Sequence, residues 1–372
     1  MFKAYKYKLK PTKEQEQKIV QFSGCARFIY NWALNRKSEH YTETSKTISL
    51  FDLGKEVTKL KREEGFDWLK NVHSQILQSS LKNLDVAYTS FFKNKNAFPK
   101  FKKKANSQSF QYPQGVKTEN NKIYLPKIGW VKYFNSREFK GKIKSVTVST
   151  TPTGKYFVSI LVDDKKELPL NKKVSYNTAV GCDMGIKDLL ITSDGEVFEN
   201  QRNFDNWKIK LRVEQRSLSR KQKGSNNWYK QKLVVSKIHE KITNIRKDYL
   251  HKISNQLVKE YDTICLEDLS IEKLLKEKKM SKLISDASWA TLRAFIEYKA
   301  KWNGNNVSII GRYYPSSKTC SGCGNIKKDL KLSDRVYVCN KCKTTIDRDI
   351  NAAINIKSQG VGQILMYANV GH

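Results

Sequence analysis

Along residues 2–9, Phe2, Ala4, Tyr5, Tyr7 and Leu9 are set against Lys3, Lys6 and Lys8, an alternation that predicts a β-strand. Pro11 ends it. Thr12 with Gln15 reads as a capping box that opens a helix through Ile19 and Phe22. The spacing stays helical to about residue 93, and Ile76, Leu77, Leu81, Leu84, Ala87, Tyr88 and Phe91 form an apolar stripe that belongs to a core. A period of two returns from 108 to 164. There Val146 and Val148, then Tyr156, Val158, Ile160 and Val162, flank the turn sequence Thr150-Thr151-Pro152-Thr153-Gly154. The first strand is expected to join these in one sheet or small barrel, with the helical block inserted between them. Polar residues 165–175 read as a linker.

A second unit opens with a buried-type strand, Thr178 to Cys182, ending in Asp183-Met184-Gly185. Gly185 allows close backbone approach there. Leu189 to Thr192 is the next strand, followed by a turn at Ser193-Asp194-Gly195. Residues 205–260 are helical and basic; Tyr261 to Leu269, Val307 to Ile310 and a helix from Trp289 to Trp302 complete the alternation before a cysteine-bearing segment. A final helix follows Asp349, and no internal repeat is visible.

Charge sharpens this picture. The chain has 70 Lys+Arg against 36 Asp+Glu in 372 residues, a net charge of +34. Self-repulsion on that scale opposes compaction unless a polyanion neutralises it, and nucleic acid is the plainest one. With 39% hydrophobic and 11% aromatic residues the chain can build packed cores, so it is not a disordered basic tail. No apolar run approaches the roughly eighteen residues of a membrane span, and Met1 to Tyr5 lacks an apolar signal region, so an intracellular protein without a membrane partner is expected.

The basic residues cluster in two places. Lys93, Lys95, Lys100, Lys102, Lys103 and Lys104 alternate with Phe91, Phe92, Phe98 and Phe101, a pattern suited to phosphate contact beside base or sugar stacking. A solvated loop with inward phenylalanines is the plain alternative. Lys208, Lys210, Arg212, Arg216 and Arg220, with Lys221 and Lys223, lie between two strands that end in acids, which favours a nucleic-acid channel wall over a merely solvated helix face.

Two CxxC pairs, Cys320/Cys323 and Cys339/Cys342, supply four thiolates, with strand character from Val336 and Val338 before the second pair. This is the pattern of a zinc ribbon, and four thiolates leave the metal no open position, so one structural Zn²⁺ is expected rather than redox chemistry. Cys25, Cys182 and Cys265 stand singly in apolar contexts, which fits a reducing compartment. Asp183 and Glu267 each end an apolar strand, and Asp347-Arg348-Asp349 opens the last helix. Hard oxygen ligands at such a junction suit two Mg²⁺ ions, with Mn²⁺ an expected substitute. Taken singly, Asp183 could be a turn residue, Glu267 a helix-capping partner with Asp268, and Asp349 an N-cap. The histidines, His40, His73, His239, His251 and His372, form no constellation.

In order, Asp183-Met-Gly-Ile-Lys, Leu266-Glu267-Asp268-Leu269, Cys320-x-x-Cys323-Gly324, Cys339-x-x-Cys342 and Asp347-Arg-Asp-Ile-Asn-Ala-Ala-Ile-Asn-Ile resemble TnpB. TnpB proteins are the transposon-encoded ancestors of the type V CRISPR nucleases. Tyr5-Lys-Tyr-Lys-Leu-Lys-Pro-Thr-x-x-Gln and Leu81-x-x-Leu84-Asp85-x-Ala-Tyr88-x-x-Phe91-Phe92 resemble the same family, so the likeness covers nearly the whole chain.

The resemblance implies an α+β multidomain protein. A wedge-type β-barrel (1–10 and 108–165) would hold a helical recognition insert (11–107), with a linker at 166–175. A RuvC-like RNase H-fold nuclease (176–312 and 343–372) would carry an inserted zinc ribbon, the target-strand loading segment (313–342). It implies Asp183, Glu267 and Asp349 as the catalytic Mg²⁺ ligands, with Asp347 the fallback for the third. Gln75, Gln78 and Lys82 would approach a duplex bearing a short target-adjacent motif. The partners would be a guide RNA from the transposon end and double-stranded DNA. The activity would be RNA-guided hydrolysis of DNA phosphodiesters by two metal ions, in a prokaryotic, cytoplasmic, nucleoid-associated monomer, a dimer being the alternative. Rival readings are a compact type V CRISPR effector with an array-derived guide, a guide-directed DNA-binding protein without cleavage, and a transposase acting directly on transposon ends.

Overall fold

The computed structural model describes residues 1–93, 96–104, 108–200, 204–269, 288–331 and 333–370, with the side chains of 204–206 and 368–370 not described. Lys95 and His372 lie outside the described residues. The chain divides into two compact units, Met1–Glu167 and Leu168–His372. Among the described residues no helix is long and apolar enough to cross a membrane.

The first unit begins with β1 (Phe2–Lys10), α1 (Lys13–Thr44), α2 (Leu50–Leu60), a 3-10 turn (Asp67–Asn71) and α3 (Ser74–Phe92). The strands β2 (Gln108–Tyr112), β3 (Lys117–Glu119), β4 (Lys122–Leu125), β5 (Gly129–Tyr133), β6 (Lys142–Thr150) and β7 (Tyr156–Asp163) follow. The Thr12 hydroxyl and Gln15 side chain cap α1 reciprocally, satisfying two N–H groups that the first turn would otherwise leave unbonded. The seven strands form one sheet in the order β2-β6-β7-β1-β5-β4-β3. β1 sits inside it, pairing with β7 from Phe2↔Asp163 to Leu9↔Tyr156 and with β5 at its far end. The helices therefore form an insert between an interior strand and the rest of its sheet. Their apolar faces (Ile19, Phe22 and Ile29 of α1; Ile76, Leu77 and Leu84 of α3) share one core with Tyr7, Val148, Val158 and Ile160.

The second unit contains β8 (Ala179–Asp183), β9 (Asp188–Thr192), β10 (Val197–Glu199), α4 (Phe204–Ser219), α5 (Asn226–Glu260), β11 (Thr263–Glu267), α6 (Trp289–Asn303) and β12 (Asn306–Ile310). The short strands β13 (Val336–Val338) and β14 (Thr345–Asp347) and the helix α7 (Arg348–Val370) complete it. Its main sheet runs β10-β9-β8-β11-β12. The first three strands are antiparallel, and β8, β11 and β12 are parallel.

Strands β8 and β11 are buried on both faces, which is why they read as unbroken apolar runs. Period two sorts their side chains. Val180, Cys182, Ile264 and Leu266 pack with Leu250, Ile253 and Leu257 of α5 and Leu292 and Ile296 of α6. Ala179 and Cys265 pack on the other side with Ile356 and Val361 of α7. That helix lies unusually close. A Cβ on Gly181 would sit 1.9 Å from the Ala353 carbonyl oxygen, and one on Gly360 would sit 2.5 Å from the Cys265 sulfur. Only glycine permits this approach, and the approach decides where the first turn of α7 lies.

Candidate active site and metal centre

Asp183 and Glu267 are the last residues of their strands. The parallel register pairs Cys265 with Gly181 and Leu266 with Cys182, and the next residues along the two strands are Asp183 and Glu267. By alternation both carboxylates belong to the face that carries Gly181 and Cys265, which is the face covered by α7. Asp349 stands in the first turn of that helix. All three acids line one cavity of about 420 Å³, together with Lys318, Arg335 and Arg348. The sequence separates the three acids widely; strand alternation and the two glycine contacts bring them together.

Their electrostatics differ. Burial, then the charges of Glu267 and Asp349, push the Asp183 carboxyl up to about 7. Burial also raises Glu267, opposed by a hydrogen bond from the Ser316 hydroxyl to Oε1. Asp349 is held by cations: Oδ1 accepts from Arg348 Nε at 2.9 Å and Nη2 at 2.8 Å, and Oδ2 lies 3.6 Å from Arg335 Nη1. Three converging carboxylates, one with its proton held near neutrality, form a site that divalent cations would stabilise. The neighbouring Asp268 is different: Arg293 and Arg312 hold it at 3.2 and 2.9 Å.

The paired acids of α7 are also separated. Asp347 is exposed and caps the helix, its Oδ1 accepting the N–H groups of Asp349 at 2.8 Å and Ile350 at 3.1 Å. It does not line the cavity, and Asp349 does. The plain reading that Asp349 is the N-cap therefore belongs to Asp347 instead.

The four cysteines of the two CxxC pairs meet. All sulfurs lie within 4.8 Å of one another, with Cys320–Cys342 and Cys323–Cys339 each at 3.6 Å. A tetrahedron of thiolates about 2.3 Å from zinc has sulfurs roughly 3.8 Å apart, so the donor set and its spacing fit that ion. Strands β13 and β14 form the hairpin behind the second knuckle. Cys320 and Cys339 share a small cluster with Tyr337, Leu330 and Ile346, too little apolar surface to hold such a segment by itself. The three single cysteines are buried, and burial pushes Cys25 up to about 11 and Cys265 up to about 12. They behave as small core residues.

The candidate nucleic-acid contacts fall into three groups. On α3, Gln78 and Lys82 are exposed and line an apolar-floored groove of about 700 Å³ with Lys55, Lys61 and Leu77, whereas Gln75 is half-buried and outside that lining. Lys100, Lys102, Lys103 and Lys104 are exposed on the segment after it. The backbone of Lys102 is pinned by the Asn31 side chain at 2.8 and 3.0 Å, and its ammonium lies 4.0 Å over Tyr30. Phe98 packs edge-on to Phe91 and Tyr88 yet is 48% exposed, and Phe101 is 56% exposed. On α4, Trp207 and Leu211 pack against Ile238 and Ile242 of α5. Lys210, Arg212 and Arg216 are exposed there, Lys208 is half-buried, and Arg220 is exposed just past the helix.

Sequence reasoning passed over Ser316, Arg335, Gly181 and the asparagines of α7. Asn351 and Asn355 are 0% and 4% exposed. Two amides four residues apart inside an apolar helix stripe were a signal, since a buried amide needs bonded partners.

Comparison with known proteins gives concordant matches. The family described as "Probable transposase" (OrfB_IS605) matches residues 157–278, its "Helix-turn-helix domain" matches 1–46, and the "Cas12f1-like, TNB domain" matches 289–356. Two similar chains share the name "Putative RNA-guided DNA endonuclease". One, InsQ of Escherichia coli K12, is 37% identical over 96% of this chain and 92% of its own length. The other, from Streptomyces pristinaespiralis, is 34% identical over 96% and 89%. The fold resembles that in the cryo-EM structure of a Cas12f1-sgRNA-target DNA complex, with a TM-score of 0.59 at 17% identity over 93% of this chain and 83% of that one.

Proposed function

The chain belongs to the TnpB family of transposon proteins, and from that premise we propose that it is an RNA-guided DNA endonuclease with a RuvC-type carboxylate site. The observation that carries the reading is the convergence of Asp183, Glu267 and Asp349 on one cavity. The order β10-β9-β8-β11-β12, three antiparallel strands followed by two parallel ones, supports the RNase H-like assignment. In the first unit, the seven-stranded sheet interrupted by α1 to α3 supports a wedge-type barrel with a recognition insert. The boundaries expected from sequence are kept for these parts, except that the zinc ribbon expected at 313–342 extends through β14 (Thr345–Asp347), which pairs with β13.

Asp183, Glu267 and Asp349 would hold two Mg²⁺, or Mn²⁺ in their place. These ions would activate water and stabilise the leaving oxygen in hydrolysis of the phosphodiester. The protein's own residues do the rest. Strands β8 and β11 fix two acids on one face, and α7 supplies the third. Arg348 and Arg335 hold Asp349 until a metal competes for it. Lys318 and Arg335 bring positive charge to the cavity wall, where a phosphate would lie. Cys320, Cys323, Cys339 and Cys342 would hold one structural Zn²⁺ and keep the ribbon folded.

A guide RNA from the transposon end would supply sequence specificity, leaving the protein to contact backbone and a short target-adjacent motif. The exposed cations of α4 and of residues 100–104 suit the backbone contacts, and Gln78 and Lys82 suit the motif-bearing duplex. Gln75, half-buried, fits direct contact less well. The reading places the protein as a monomer at the nucleoid. Purifying it with RNA from its own locus and sequencing the bound species tests the guided part. A defined RNA spanning the transposon end is expected, and a random RNA pool would contradict it.

A further inference from the structure

Glu267 is fixed by residues that lie well beyond it in sequence. The Ser316 hydroxyl donates to its Oε1. Ser316 is buried, and its carbonyl accepts a hydrogen bond from Asn355 Nδ2 at 2.7 Å. The other hydrogen of that amide goes to the Thr319 carbonyl at 2.6 Å. One turn earlier on α7, Asn351 donates to the same carbonyl at 2.7 Å, and its Oδ1 accepts the Ser321 N–H at 3.0 Å. Two buried amides thus clamp the segment running from Ser316 to the first zinc knuckle onto the helix that carries Asp349. The segment is strapped to β11 a second time where Arg312 binds Asp268 at 2.9 Å.

We propose that Ser316 is a positioning residue for Glu267, held in place by Asn355, so that α7 orients the second acid as well as carrying the third. The proposal rests on the reading of Glu267 as a catalytic metal ligand. A glutamate turns about three side-chain torsions, and each alternative orientation reduces the fraction of molecules in which it faces the metal. A hydroxyl bonded to one carboxylate oxygen fixes the plane of the group and leaves the other oxygen to ligate. The hydroxyl is itself fixed because its backbone carbonyl is tied to α7. Outer partners of this kind commonly contribute about 10- to 100-fold in metal affinity or rate. The arrangement also explains two asparagines in an otherwise apolar helix stripe: both amides use their hydrogens on the segment that carries Ser316, and burying them without such partners would be costly.

The test uses the full chain with its guide RNA, comparing wild type with Ser316→Ala, Ser316→Thr and Glu267→Gln. Single-turnover cleavage is followed across a Mg²⁺ titration, alongside target-DNA affinity, zinc content and Mn²⁺ affinity by electron paramagnetic resonance. For Ser316→Ala the expected result is a rate lowered about 10- to 100-fold and a half-saturating Mg²⁺ raised several-fold. DNA affinity and zinc content should stay at wild-type levels, and Ser316→Thr, which keeps the hydroxyl, should recover most of the rate. Wild-type cleavage and Mg²⁺ dependence in Ser316→Ala overturns the proposal. So does a parallel loss of zinc or DNA binding, which would make Ser316 merely structural. Glu267→Gln cutting at the wild-type rate instead refutes the reading of the site. If wild type does not cut, Mn²⁺ affinity still decides, and an unchanged value in Ser316→Ala overturns the positioning role.

Discussion

Asp347 caps the helix that presents Asp349, its Oδ1 accepting the Asp349 backbone N–H at 2.8 Å. Two acids of one Asp-Arg-Asp repeat therefore have separate tasks. Asp349→Asn is expected to lower cleavage at least about 1,000-fold, the scale on which metal-borne charge stabilisation acts. Asp347→Ala should cost about 1 kcal/mol of stability as a lost cap and keep most of the activity, while Asp347→Asn, still a capping residue, should be close to wild type. Cleavage rates and thermal unfolding of the three variants check this. Equal inactivation by Asp347→Asn and Asp349→Asn would contradict it.

The raised carboxyl of Asp183 has a consequence for stability. Its folded value of about 7 exceeds its ordinary 3.8, because of burial and then the neighbouring Glu267 and Asp349. The folded state therefore holds the proton more tightly than the unfolded chain. That stabilisation is fully present below about pH 4 and is lost as pH rises through about 7. In Mg²⁺-free buffer, Asp183→Asn should stabilise the protein at pH 8 by on the order of 1–3 kcal/mol and flatten the fall in unfolding temperature between about pH 4 and 7. An unchanged slope in the variant would count against the site's electrostatics.

The cysteine cluster predicts one bound zinc per chain, measurable by elemental analysis of the purified protein. The apolar cluster behind the knuckles is small, so Cys339→Ser or chelation should remove hydrogen-exchange protection from β13, β14 and the knuckles, while β1 and β7 keep theirs. Protection that survives zinc removal would show that the ribbon folds without metal.

Arg212 and Arg216 stand exposed one turn apart on α4. If they contact guide phosphates, Arg212→Ala/Arg216→Ala should weaken RNA binding independently of sequence. The slope of log affinity against log salt should fall by roughly 0.7 per lost contact. An unchanged slope would assign them to a solvated face.

The sequence displayed most of what local chemistry controls. The Thr12/Gln15 cap, the alternation of β1, β6 and β7, the buried runs of β8 and β11 and the cysteine spacing each carry their signal within a few residues. Asp183 and Glu267 stood out because a carboxylate ending an apolar strand is conspicuous. What stayed hidden depends on tertiary approach. The division between Asp347 and Asp349 follows from how α7 starts, and that start is set by Gly181 meeting Ala353 and Gly360 meeting Cys265. Strand periodicity alone marks neither glycine as a helix contact. The tie from Ser316 to Glu267 joins distant segments through one hydroxyl, and a serine among the ordinary serines of a loop carries no periodic signature.

The most direct test of the guided-nuclease account challenges the purified protein–RNA complex with Mg²⁺ and a plasmid carrying the guide-matched sequence beside a randomised flank. The expected result is cleavage that requires the guide match and Mg²⁺, selects one flanking motif, and disappears in Asp183→Ala and Glu267→Gln. A target bound but left uncut by the wild-type complex, or cut equally by Glu267→Gln, would contradict it.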